Sequence, residues 1–73
     1  TLRHRQGRFA DADADFTEAL RLAPGDAALL RQRAAARLRC GNAEEAIEDY
    51  SASLRAEPAN LEALTGRAQA RES

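Results

Sequence analysis

The stretch GNAEEAIEDYSASLRAEP, Gly41 to Pro58, decides the reading, because GRFADADADFTEALRLAP, Gly7 to Pro24, follows the same plan. The glycines that open the two stretches are thirty-four residues apart, and so are the prolines that close them. At that offset Asp11 pairs with Glu45, Ala12 with Ala46, Asp15 with Asp49, Phe16 with Tyr50, Thr17 with Ser51, Leu20 with Leu54 and Arg21 with Arg55. Further on, Asp26 pairs with Asn60, Leu30 with Leu64, Arg33 with Arg67, Ala34 with Ala68, Ala36 with Ala70 and Arg37 with Arg71. Two separate segments agreeing on one offset identify an internal repeat.

Each repeat reads as two helices. Ala43, Ala46, Ile47, Tyr50, Ser53 and Leu54 fall on one helical face, and Phe9, Ala12, Phe16, Ala19 and Leu20 form the same stripe one period earlier. Gly41 supplies a left-handed residue to close the helix before it. Pro58 cannot continue its helix and biases Glu57 away from helical geometry. Asp26 and Asn60 are N-caps for the helices that follow. The predicted helices span 1–6 (truncated), 9–22, 26–40, 43–56 and 60–73.

Composition supports an all-helical chain. Ala and Leu dominate, the aromatics are only Phe9, Phe16 and Tyr50, and few residues are β-branched. Seventy-three residues make one small domain at most, with a marginal core. All eleven basic residues are Arg, and twelve acids bring the net charge to -1, which argues against a general polyanion binder. A lone cysteine builds no disulfide within the chain and fits a reducing, intracellular (cytoplasmic) setting. No apolar run reaches bilayer length, and no leader is visible. A start at Thr1 reads as a piece of a longer chain.

Gly7, Ala12, Phe16, Ala19 and Pro24, then Gly41, Ala46, Tyr50, Ser53 and Pro58, resemble the tetratricopeptide repeat, a thirty-four-residue helix–turn–helix unit ending in Pro. The resemblance implies an all-α fold, a right-handed superhelical solenoid of helix–turn–helix repeats (an alpha-alpha superhelix). It divides the chain into the end of one repeat (1–26), a complete repeat (27–60) and the first helix of the next (61–73). The small residue lets two helices approach closely, the aromatic one turn later fills the space between helix pairs, and the Pro resets direction. Leu30 and Leu64 stand where a bulky aromatic is usual, and Arg33-Ala34 and Arg67-Ala68 where Leu-Gly is usual. RQRAAARLRCG, Arg31 to Gly41, is similar to the variant found in chaperone adaptors, with Gln32 and Arg37 as departures. Asp13 takes a position that is apolar elsewhere, as at Ile47, and predicts looser packing of the first repeat.

The alternating Asp11, Asp13 and Asp15 invite comparison with a calcium loop. Such a loop needs Gly at Phe16 and a bidentate Glu at Leu22, and on a helix Asp13 points away from the other two. The metal reading is rejected in favour of a solvated acidic face whose spacing is set by Ala12 and Phe16. His4 has no ligand-type neighbour at suitable spacing, and Cys40 reads as a half-buried small hydrophobe. Neither a phosphate loop nor a nucleophile motif is present, so no catalytic residue, metal or cofactor is assigned and the chain reads as a non-enzyme.

Charge is segregated by helix. Residues 26–40 carry Arg31, Arg33, Arg37 and Arg39, while the following helix carries Glu44, Glu45, Glu48 and Asp49. In the resembled family the first helix of each repeat lines a concave groove, which implies a basic groove and an acidic back. The predicted groove residues are Arg5, Arg31, Ala35, Leu38, Arg39 and Gln69. Arg33 and Arg37 sit where neighbouring helices pack, and salt bridges between repeats are their expected role. The adaptors' carboxylate clamp does not carry over, since Thr1, Gln32, Glu62 and Gly66 stand at its positions. Starting it at Arg31 fails too, at Ala35 and Gly66. The leading expectation is a protein-interaction scaffold whose groove takes a partner peptide or helix, an acidic one because Arg binds carboxylates in two-pronged geometry. An RNA-binding repeat competes, against an acidic pI of about 5.7 and no groove aromatics. A third alternative is an appendage of an enzyme whose chemistry lies elsewhere. No nucleic acid or membrane partner is expected, and open repeat ends predict self-association.

Overall fold

A computed structural model describes residues 2–72, with side chains from Arg8 onward. It consists of four helices, α1 (Leu2–Leu22), α2 (Ala27–Arg39), α3 (Ala43–Ala56) and α4 (Leu61–Glu72), and no strand occurs among the described residues. None of these helices is long and apolar enough to cross a membrane.

The breaks follow local chemistry. Asp26 Oδ1 accepts from the Leu29 amide and Asn60 Oδ1 from the Ala63 amide, both at 3.0 Å, so each cap satisfies an otherwise orphaned donor. Gly41 takes a positive φ of 87°, and its amide bonds back to the Leu38 carbonyl at 3.1 Å. Asn42 then leaves helical geometry with ψ 64° and hands its carbonyl to the Ala46 amide.

One expected break is absent. The chain was predicted to end a helix at 6 and restart at 9, yet α1 runs unbroken through Gly7. The difference lies in the next residue. Gly41 is followed by Asn42, at ease outside helical geometry, whereas Gly7 is followed by Arg8, a strong helix former. A lone glycine inside a helix costs about 1 kcal/mol relative to Ala, less than ending the helix without a cap.

Consecutive helices pack antiparallel: Arg33 and Arg37 of α2 meet Thr17 and Asp13 of α1 in descending order. On the other side, Ala27 and Arg33 meet Ser53 and Asp49 of α3. Ala34, Ala46 and Ala63 have no exposed surface, and these small contacts bring the backbones close while Tyr50 and Leu54 fill the space between. The core therefore centres on α3, held between α2 and α4.

The repeat is visible in the bonding. Arg33 donates to Thr17 Oγ1 at 3.1 Å, and its counterpart Arg67 donates to Ser51 Oγ at 3.5 Å. The Asp26 amide bonds the Ala23 carbonyl as the Asn60 amide bonds the Glu57 carbonyl, each at 3.1 Å. Corresponding residues thus build corresponding contacts thirty-four positions apart. Asp13 accepts from Arg37 Nε at 3.1 Å and Thr17 Oγ1 at 3.3 Å, while Ala12, Phe16 and Ala19 around it are only half-buried where their counterparts Ala46, Tyr50 and Ser53 are buried.

A candidate partner groove

Alternating antiparallel packing sets α2 and α4 side by side in the same direction. Arg31 Nε lies 3.6 Å from Glu62 Oε2, and seven residues on, Leu38 shares a cavity with Gln69. Behind the two helices, α3 sends Tyr50 forward between them. A Cβ at Gly66 would overlap the hydroxyl end of the Tyr50 ring, so the tyrosine reaches the gap only because α4 carries glycine there. The result is a cavity of about 560 Å³ lined by Ala35, Leu38, Arg39, Tyr50 and Gln69. It adjoins a shallower one of about 340 Å³, which shares Tyr50 and Gln69 and extends along Leu61, Glu62 and Thr65.

Four of the six residues expected in the groove, Ala35, Leu38, Arg39 and Gln69, therefore come together. Arg31 stands at the edge with its charge engaged by Glu62, and Arg5 lies outside the described side chains, as do Arg3 and His4. Sequence reasoning placed Tyr50 among packing residues only. In fact its ring is 5% exposed and floors the trough. Burial pushes its hydroxyl pKa up, opposed by the positive fields of Arg39 and Arg31 and assisted by Glu62. Arg39, exposed and in no ion pair among the described residues, is the positive group left beside this tyrosine floor.

Arg33 and Arg37 are turned away from the trough. Arg33 holds Asp49 with two bonds of 2.8 Å, from Nε and Nη2, and Arg37 Nη1 reaches the same carboxylate at 3.2 Å. The Asp49 bond holds the Arg33 guanidinium pKa above its usual value despite partial desolvation. Both bridges to Asp49 lie within the repeat 27–60, and of the bridges expected between repeats only Arg37–Asp13, at 3.1 Å, is formed among the described residues. The Asp49 pairing also corrects the acidic back: Glu44, Glu45 and Glu48 are exposed there, but Asp49 faces inward, bound to the two arginines.

The three alternating aspartates diverge, Asp13 toward Arg37 and Asp11 and Asp15 to solvent. Cys40 is half-buried at the end of α2, its amide bonded to the Ala36 and Arg37 carbonyls. Compared with known proteins, the chain matches no family model, no curated protein and no solved structure.

Proposed function

We propose that the chain is part of a right-handed helical solenoid of the tetratricopeptide type and serves as a non-catalytic interaction module. Its trough between α2 and α4 receives a partner segment. The observation that carries this reading is the convergence of Ala35, Leu38, Arg39 and Gln69 from two parallel helices onto a tyrosine floor. An apolar side chain of the partner lies against Ala35, Leu38 and the Tyr50 ring, while a neighbouring carboxylate is bound by Arg39. Arg39 is the arginine best placed for this, since it is exposed and Arg31 is engaged by Glu62. An acidic segment with an interspersed apolar residue is the matching partner. The half-buried Cys40 thiol fits a reducing, intracellular setting.

Calorimetry with matched acidic and basic peptides tests the reading. Acidic peptides bind more tightly, and Arg39→Glu weakens them about tenfold or more, the loss of one charge-assisted contact. Equal affinity for both peptide classes, or unchanged binding by Arg39→Glu, contradicts it. So does preference for an RNA oligomer with a steep salt dependence.

A further inference from the structure

The trough between α2 and α4 carries opposite charges at its two ends. Arg31 and Arg39 stand eight residues apart on α2, about 12 Å along its axis, with Ala35 midway between them. At the Arg39 end, the cavity of about 560 Å³ is bordered by a guanidinium that is exposed and enters no ion pair among the described residues. At the Arg31 end, the cavity of about 340 Å³ is bordered by Glu62. The two cavities share Tyr50 and Gln69, so one floor joins them. Both walls and the floor come from α2, α4 and α3, and the charge layout is set by helices that pack on one another within the chain.

Arg31 does not make its own end of the trough positive. Its side chain is 21% exposed against 81% for Glu62, so the pair turns its carboxylate outward. At 3.6 Å from Arg31 Nε the contact is an ion pair without a hydrogen bond, and the carboxylate keeps acceptor sites for a second cation.

The spacing selects the geometry of an occupant. In an extended segment, residues i, i+2 and i+4 face the same side, and i to i+4 spans about 13 Å. That matches the run from Arg39 past Ala35 to the Arg31–Glu62 pair. Resting on the reading of the trough as a partner groove, we infer that its occupant is an extended segment with an acid, an apolar residue and a base at alternate positions. The acid meets Arg39, the apolar side chain lies beside Ala35 over the Tyr50 floor, and the base meets Glu62. A uniformly acidic segment fits one end and is repelled at the other, which makes Glu62 a specificity-determining residue.

Calorimetry at low ionic strength with two blocked peptides tests this. One carries glutamate, leucine and lysine at alternate positions, and the other has a second glutamate in place of the lysine. The wild-type chain binds the first about fivefold more tightly, the swing expected when one exposed attraction becomes a repulsion. Glu62→Gln abolishes that preference and Glu62→Lys reverses it, whereas Arg39→Glu weakens both peptides. Helical circular dichroism checks the folding of each variant, and Glu62→Gln, nearly the same in shape, decides alone if Glu62→Lys unfolds beside Arg31. Equal affinity of the wild type for both peptides, or a preference that persists in Glu62→Gln, overturns the inference. The groove reading survives either result if Arg39→Glu still weakens binding. Binding of neither peptide overturns the two together.

Discussion

Gly66 and Tyr50 are the residues on which the trough turns, and they make a coupled prediction. Replacing a helical glycine by alanine ordinarily gains about 1 kcal/mol. Here the added methyl meets the Tyr50 ring, and overpacking a core costs roughly 1–3 kcal/mol. Gly66→Ala is therefore expected to destabilise the wild type but to stabilise a Tyr50→Leu background, a change of sign readable in urea melts. Asp49 is the other decisive side chain. It is 5% exposed and takes both arginines; Arg37 would keep Asp13, but Asp49→Ala strands the half-buried Arg33 and should cost roughly 3 kcal/mol in the same melts. Tyr50 also sets a pH dependence. Burial raises its folded pKa, so the folded state keeps a proton that the unfolded chain releases above about 10. Its contribution to stability is whole below that pH and is lost as pH rises through the raised folded value. Tyr50→Phe should flatten the alkaline limb of a pH–stability curve. The sequence showed Tyr50 as a filler of the helix interface but not as the trough's floor, because that depends on which residue faces it. The facing position, Gly66, is Gln32 one repeat earlier, so the repeat pattern itself gave no sign of the opening.

At the level of the helices, the second to fourth elements were legible because caps and breakers are local chemistry. Asp26, Gly41, Pro58 and Asn60 mark boundaries that the structure places within a residue or so of those read from sequence. Gly7 misled because the repeat analogy carried a break from Gly41 without the asparagine that completes it. Opposite outcomes follow for the same substitution. Gly7→Ala is expected to stabilise by about 0.5–1 kcal/mol as an interior helix position. Gly41→Ala is expected to cost about 1 kcal/mol or more, since alanine resists a φ of 87°. Thermal melts of the two variants compare them directly, and equal shifts of one sign would contradict the account. The arginines of α2 show a second limit of sequence reading. Their bridging was anticipated, but only packing reveals that Asp13 and Asp49 are the acceptors and that Asp49 is lost from the acidic back.

Across the whole molecule, one offset explains the antiparallel packing of consecutive helices, the parallel placement of α2 and α4, and the recurrence of caps and arginine contacts. That placement creates a trough with a tyrosine floor and one exposed guanidinium, opposite a face bearing Glu44, Glu45 and Glu48. The groove side was expected from the family resemblance; helical spacing only put Arg31, Ala35, Leu38 and Arg39 on one face of α2, and Gln69 is the counterpart of Ala35 in the repeat. The pairing of Arg31 with Glu62 was not legible, because Glu62 reaches it from a helix thirty-one residues on. That trough is the surface proposed to grip a partner, and amide chemical-shift mapping tests it most directly. Titration with an acidic peptide carrying one apolar side chain should move the amides of Ala35, Leu38, Arg39, Tyr50 and Gln69 together, with one saturating affinity. Shifts confined to the Glu44–Glu48 face of α3, or none at saturating peptide, would contradict it.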